Sequence, residues 1–317
     1  MYTLGIDLGG TNIVAGVVDE NYKIIGKGKV KTNCPRPAEE IADDMVKACF
    51  IACENAGVSI KDVKACGVGC PGAVNPVTGI IVTSNNIDFE NVPLAKMLKE
   101  RTGVDFYIEN DANAAAYGEF LAGGGRGVDD CIVVTLGTGV GGGVIIGSKL
   151  FSGSNFAGGE LGHTVMVIDG EPCTCGRKGC FEAYASATAL IRQTKEAMKK
   201  DKNSIMWELA GGNLDNVNGA TAFDGMRKGD KTACEVVRQY EKYLGVGITN
   251  IINIFQPQKV CIGGGISNEK ETLVAPIREF VSKEVYTDMG KPCEIVTAEL
   301  GNDAGIIGAA FLYKLYE

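Results

Sequence analysis

Ile6-Asp7-Leu8-Gly9-Gly10-Thr11 and Val134-Thr135-Leu136-Gly137-Thr138-Gly139 share one pattern, an apolar strand that runs into a glycine turn. A second apolar strand follows each turn, over Ile13 to Val18 in the first copy and Val144 to Leu150 in the other. Walker A and Rossmann units have strand, loop, helix instead, and no Gly-Lys-Ser/Thr is present. Glycines in such a turn let the backbone approach a phosphate closely. Asp7, at the end of its strand, suits a hydrated Mg2+. Two copies of so unusual a turn predict two similar halves facing one another. Two unrelated hairpins are the plainer reading, since hairpins favour glycine; the apolar strands on both sides of each turn argue against it.

A second constellation is Gly159-Glu160-Leu161-Gly162-His163 with Cys173-Thr174-Cys175-Gly176-Arg177-Lys178-Gly179-Cys180-Phe181-Glu182, which holds the sole histidine of the chain. Imidazole nitrogen and thiolate sulfur are the ligands of tetrahedral zinc, and His163, Cys173, Cys175 and Cys180 fill its four positions. A closed shell leaves no place for a catalytic water, so the metal reads as structural. It would fix a loop that presents Glu160, Glu182 and the free edge of His163 to something else. Redox-active cysteines are the main rival. Gly176 to Gly179, rich in glycine and charge, reads as a turn.

The 317 residues suffice for two domains with real cores. A net charge of −8 argues against a large nucleic-acid surface, although backbone amides bind anions without side-chain charge. Of the twelve cysteines, Cys49, Cys53, Cys66, Cys131 and Cys261 sit in apolar segments, which points to a reducing cytoplasm. Met1-Tyr2-Thr3-Leu4-Gly5-Ile6 lacks the basic and apolar regions of a signal peptide. No apolar run reaches the roughly 18 residues of a membrane span.

Lys23 to Lys31 predicts a third strand. Ala38 to Asn55 predicts a helix with Ile41, Met45, Cys49 and Ala52 on one face and Gly57 past its end. A strand at Val63 to Val68 leads into a rigid turn, Gly69-Cys70-Pro71-Gly72. Thr83-Ser84-Asn85-Asn86 is a polar loop ahead of a short helix at Pro93 to Thr102. Phe106 to Ile108 is a buried strand, followed by Glu109-Asn110-Asp111-Ala112-Asn113 and an alanine run that starts a helix. Asn110 or Asp111 is its N-cap. Asp111 either only caps, or is a general base at a strand end, where α/β proteins bind ligands. Gly123 to Gly127 is a flexible connector. After the cysteine loop, helices are expected at Ser186 to Lys200, Asn203 to Leu209, Thr221 to Lys228 and Cys234 to Ile254. A strand at Gln258 to Ile262 ends in Gly263-Gly264-Gly265, which can pass close to a nucleotide. A helix at Glu269 to Glu284, a strand at Glu294 to Thr297 and a helix at Ala304 to Tyr316 complete the chain.

In order and spacing these motifs resemble the ROK family (repressor, open reading frame, kinase) of the actin-like ATPase superfamily, over essentially the whole length and most closely in its glucokinase branch. The resemblance implies an α/β protein with two ribonuclease-H-like (actin-like ATPase) domains flanking a cleft, and a structural zinc loop. Residues 1–118 would form the smaller N-terminal domain, completed by the C-terminal helix at about 304–317. Residues 119–303 would form the larger one with the zinc motif. ATP would lie against the glycine turns, with Asp7, Gly9, Gly10, Thr11 and Asn12 meeting phosphate and Mg2+. Gly137, Thr138, Gly139 and Gly141 would meet its other side, with Gly264 and Gly265 near the adenosine. Asp111 would take the proton from the sugar 6-hydroxyl as it attacks the γ-phosphate. Asn86, Asn110, Asp111, Glu160, His163 and Glu182 would hold the sugar, and the family's zinc ligands fall on His163, Cys173, Cys175 and Cys180. One departure is Ile87-Asp88-Phe89-Glu90, where many relatives carry a tryptophan.

The expected activity is therefore ATP-dependent phosphorylation of glucose, by a cytoplasmic homodimer or larger homo-oligomer without nucleic-acid or membrane partners. A kinase for N-acetylglucosamine, N-acetylmannosamine or fructose is the nearest alternative. A sugar-sensing repressor of the same family is disfavoured, because the sequence starts directly on the phosphate strand and shows no helix-turn-helix.

Overall fold

The computed structural model describes residues 1–316. β1 (Tyr2–Leu8) and β2 (Asn12–Val18) form the first hairpin, with Leu8 opposite Ile13, and β3 (Ile24–Lys31) adds antiparallel to β2. α1 (Ala38–Ala56) buries Ile41, Met45, Cys49 and Ala52. It stops at Gly57, whose φ of 69° is a left-handed conformation that costs glycine little. β4 (Val63–Cys70) runs parallel to β1. β5 (Ala73–Asn75), β6 (Ile80–Ser84) and β7 (Phe89–Val92) make a small antiparallel sheet of their own. α2 (Leu94–Thr102) leads to β8 (Phe106–Asn110), parallel to β4, and α3 (Asp111–Ala122) follows at once. The first large sheet has the order β3-β2-β1-β4-β8.

β9 (Cys131–Leu136), β10 (Val140–Ile146) and β11 (Lys149–Phe151) open the second large sheet. Then come α4 (Glu182–Ala185), α5 (Ala187–Lys200), α6 (Met206–Leu209), α7 (Thr221–Arg227) and the long α8 (Lys231–Phe255). β12 (Lys259–Gly263), α9 (Glu271–Glu284), β13 (Glu294–Thr297), α10 (Ala304–Ala310) and α11 (Tyr313–Tyr316) end the chain. This sheet has the order β11-β10-β9-β12-β13. Both sheets thus read third, second, first, fourth, fifth, so the repeated glycine turn is one part of a repeated sheet. The chain divides into two compact units, one of Met1–Val133, Gly143–Gly159 and Glu299–Glu317, the other of Val134–Gly142 and Glu160–Ala298. The expected domain boundary at residue 118 falls inside α3. No helix among the described residues is long and apolar enough to cross a membrane.

Several element boundaries differ from expectation. The sequence reading missed the sheet of β5, β6 and β7, whose strands are short and carry exposed residues such as Val82 and Thr83. The strand expected at Val144 to Leu150 begins at Val140 and breaks at Gly147-Ser148. Both of those residues have positive φ, 57° and 61°, as a two-residue hairpin turn requires. Gly141 therefore lies in a strand and not in the turn. The helix expected from Asn203 starts only at Met206, and the last helix breaks between Ala310 and Tyr313.

α10 lies on the first sheet at backbone contact. A Cβ at Gly67 would come within 1.9 Å of the Ala309 carbonyl oxygen, and one at Gly5 equally close to that of Ile306. Neither oxygen can move without disturbing α10. Gly67→Ala is expected to destabilise the protein by about 1–3 kcal/mol through overpacking, read as a lower urea midpoint. An unchanged midpoint would show that α10 is held less tightly than these contacts require.

Candidate active site and metal cluster

In the first unit the candidate residues gather at the ends of β1, β4 and β8. The turn after β1 is closed by the Gly9 N–H, which donates to the Asn12 carbonyl at 3.0 Å. The buried Thr32 hydroxyl donates to the Gly9 carbonyl at 2.6 Å and braces the turn from beneath. Asp7, Gly9, Gly10, Thr11 and Asn12 line a cavity of about 480 Å³ with Lys27, Lys29 and Asp303. Asn86 is exposed, and its carbonyl oxygen approaches Gly10, lying 3.4 Å from where a Cβ would stand.

Asn110 is the last residue of β8 and the N-cap of α3. Its Oδ1 accepts from the N–H groups of Ala112 and Asn113 at 2.9 and 3.3 Å, and its Nδ2 donates to the Gly72 carbonyl at 3.1 Å. The cap is thus Asn110, and Asp111 begins the helix. One Nδ2 proton of Asn110 is left for a ligand. Asp111 is reached by solvent, but protein crowds its other sides. Burial pushes its carboxyl upward, against the hydrogen bond that it accepts from the Ala112 N–H at 2.8 Å. Burial and the Asp111 charge push Asp7 up to about 6. Two carboxylates in this relation are the donor chemistry that a divalent cation neutralises.

In the second unit, the turn after β9 is closed by the Gly137 N–H to the Gly139 carbonyl at 3.0 Å. The start of α5 braces it: the Ala187 N–H donates to the Gly137 carbonyl, and the Thr188 hydroxyl to that of Thr138. Gly264, at φ 86°, backs onto Leu136, where a Cβ would meet the carbonyl oxygen at 2.3 Å. Gly265 is exposed. Glu182 joins this turn to the cysteine loop. Its Oε2 accepts from the Val140 N–H at 3.1 Å, and its Oε1 accepts from the Thr174 hydroxyl at 2.8 Å. Gly139 has no side chain because a Cβ there would stand 2.2 Å from Glu182 Oε2. Glu160 is exposed, one residue before the short turn of helix Leu161–His163.

The donor atoms of His163, Cys173, Cys175 and Cys180 all lie within 4.8 Å of one another. Cys173 Sγ is 3.6 Å from His163 Nδ1, and Cys175 Sγ is 3.7 Å from Cys180 Sγ. Around a tetrahedral ion with bonds of about 2.3 Å to sulfur and 2.05 Å to nitrogen, those edges are about 3.6 and 3.8 Å. A disulfide needs about 2.0 Å, and the three cysteines of the cluster are all free thiols. The residues fit a four-coordinate metal. His163 turns Nδ1 to the cluster, which leaves Nε2 free. A larger cavity of about 540 Å³ opens between α8 and α9. It gathers none of these groups, so size does not mark the site here.

Glu109, Thr32, Gly72 and Thr174 were given no individual role in the sequence reading. Glu109 and Thr174 stand inside the quoted motifs and were legible at least by position. Nothing local marks Thr32, which reaches Gly9 only through sheet register.

Two sheets of like order, each entering through a strand, glycine turn and strand, define an actin-like ATPase fold. The chain belongs to the ROK family, whose profile matches residues 3–315. It is 38% identical to a glucokinase of Streptomyces coelicolor, over 98% of this chain and 97% of that protein. Among solved structures it resembles a ROK family glucokinase from Streptomyces griseus in complex with glucose and AMPPNP, at a TM-score of 0.80 and 38% identity, covering 98% and 99% of the two chains. A xylose repressor of Bacillus subtilis is 30% identical over 97% of this chain and 75% of its own length.

Elemental analysis of the purified protein is expected to find about one tightly held metal ion per chain. Cys180→Ser should lose that metal and lower the thermal midpoint. Metal-free wild-type protein of unaltered stability would contradict the cluster's reading as a metal site.

Proposed function

We propose that this protein transfers the γ-phosphoryl group of ATP to the 6-hydroxyl of glucose. The observation that carries this reading is the placing of Asp111, at the head of α3, against Gly69, the β4 residue paired with Asp7 at the first glycine turn. Asp111 accepts the hydroxyl proton as the sugar oxygen bonds to the γ-phosphorus. The bond from phosphorus to the bridging oxygen breaks, and its electron pair leaves with ADP. A base with a raised pKa suits this work, because proton transfer is most effective when the pKa approaches the working pH. Phosphoryl transfer asks mostly for alignment and charge neutralisation.

Backbone groups of Gly9, Gly10, Thr11 and Asn12 are the phosphate contacts of the first unit; the second unit's nucleotide contacts are Gly137, Thr138, Gly139 and Gly141, with Gly264 and Gly265 for the adenosine. Asp7 holds Mg2+, which offsets phosphate charge when bound. The residues assigned to sugar are Asn86, Asn110 and Asp111 in the first unit; in the second they are Glu160, His163 through Nε2, and Glu182. Glu182 Oε2 keeps a lone pair for a sugar hydroxyl beyond the bond that it accepts from the Val140 N–H. Zinc held by His163, Cys173, Cys175 and Cys180 is structural, since its shell is complete; it sets the His163 ring and tautomer. The 38% identity to a glucokinase supports glucose as the substrate. Phe89, in the stretch that departs from the family pattern, is the buried first residue of β7 and so is a packing residue in this chain.

An ADP-release assay with Mg-ATP is expected to give glucose the highest kcat/KM, by about tenfold over N-acetylglucosamine, N-acetylmannosamine, fructose and mannose. A preference for an N-acetylated sugar would overturn glucose and keep the chemistry. Asp111→Asn is expected to lower kcat by about 10²–10⁴-fold while leaving glucose affinity, measured by calorimetry, nearly unchanged. Near-normal turnover of that variant would sink the base assignment.

A further inference from the structure

Glu109 precedes the N-cap of α3 and is only 2% exposed. A buried carboxylate is tolerated where its lone pairs are answered, and here each donor belongs to the surroundings of Asp111 or to the C-terminal helix. Oε1 accepts from the Asn110 N–H at 2.8 Å and from Asn113 Nδ2 at 3.1 Å. Oε2 accepts from the Tyr316 hydroxyl at 2.6 Å. Asn110 and Asn113 flank Asp111 in sequence, and Asn113 is itself buried. The carboxylate therefore grips the first turn of α3 from both sides of Asp111.

Tyr316 is fixed in turn. Its ring stacks on Tyr107 of β8, with centroids 6.5 Å apart and planes within 10°. Burial and the Glu109 charge both hold its phenol above the ordinary range, so it stays protonated and remains a donor. The hydrogen bonds that Asp111 accepts come from backbone at the start of the same helix, the Ala112 N–H at 2.8 Å and its own N–H. Its direction is inherited from the turn that Glu109 grips.

We propose that Glu109 and Tyr316 are positioning residues for the reaction. The last helix of the chain sets, through the Tyr316 hydroxyl and the Glu109 carboxylate, the angle at which Asp111 meets the sugar hydroxyl. This inference rests on the reading of Asp111 as the base. Neither residue touches substrate; both act through the strand-to-helix junction. Small misplacements of a reacting group are costly, with about 1 Å able to cost 10²-fold.

Tyr316→Phe keeps the stacked ring and deletes one hydroxyl. It is expected to lower kcat per folded molecule by roughly five- to fiftyfold, with the KM values for glucose and ATP within about twofold; the thermal midpoint also falls, because a buried carboxylate loses a donor. A purely structural hydroxyl would lower the midpoint and leave kcat per folded molecule unchanged, and that result would overturn the proposal. Glu109→Gln should retain most of the rate, because its amide can accept from Asn110 and donate to the Tyr316 oxygen. The two readings fail separately. If Asp111→Ala turns over normally, the base assignment falls. If Asp111→Ala is crippled and Tyr316→Phe has a wild-type kcat, only the positioning role falls. In the Asp111→Ala background Tyr316→Phe should cost nothing further, since residues that act as a unit are not additive.

Discussion

At Asn110 a strand becomes a helix with no residue between them. The backbone can reverse so sharply because one side chain closes the break: the Asn110 carboxamide caps α3 with its oxygen and ties back to Gly72 with its nitrogen. The orphan N–H groups of a helix start would otherwise face the site unpaired. The rest of the first unit is arranged so that α3 can begin there. Gly69 on β4 leaves room for Ala114, whose Cβ would be 3.0 Å from a Cβ at that glycine. Gly308 of α10 packs on the Ala114 carbonyl, where a Cβ would stand 1.7 Å from the oxygen. An alanine-rich helix between glycine-bearing neighbours is thin on every side, and so α3 carries Asp111 close to the sheet that carries Asp7.

The second unit solves a similar problem by different means. Its candidate ligands lie on a loop with little regular structure, only the short helical turn Leu161–His163 and two isolated bridges, Val165 to Cys180 and Pro172 to Lys178. Such a loop buries too few apolar groups to order itself. Four soft donors at the corners of a tetrahedron would supply the missing restraint on holding a metal, and Glu182 would pass it on to the second glycine turn through Val140. The same carboxylate explains why the residue before that strand is glycine.

Much of this was legible in the sequence. The paired glycine turns foretold the repeated sheet, because an apolar strand on each side of a turn leaves few other ways to pair. The gathering of His163, Cys173, Cys175 and Cys180 was legible because ligand chemistry depends on residue type and spacing more than on fold. Boundaries were hidden where side chains are absent or the strands are too short. Gly141 to Gly143 carry no pattern to show that β10 had already begun, and the short strands β5 to β7 alternate too briefly to be seen. Tyr316 was invisible for another reason. Its partner Glu109 is 207 residues away in the chain, and no local propensity encodes a contact of that range.

The account's central claim is a direct transfer to one oxygen of one sugar. It is tested most directly by NMR of the product formed from uniformly ¹³C-labelled glucose and Mg-ATP. A single sugar phosphate is expected, with phosphorus coupling at C6 and, through three bonds, at C5, and ADP formed in equal amount. Phosphorus coupling at C1, C2, C3 or C4, or ADP released without a sugar phosphate, would contradict the role given to Asp111 and the site built around it.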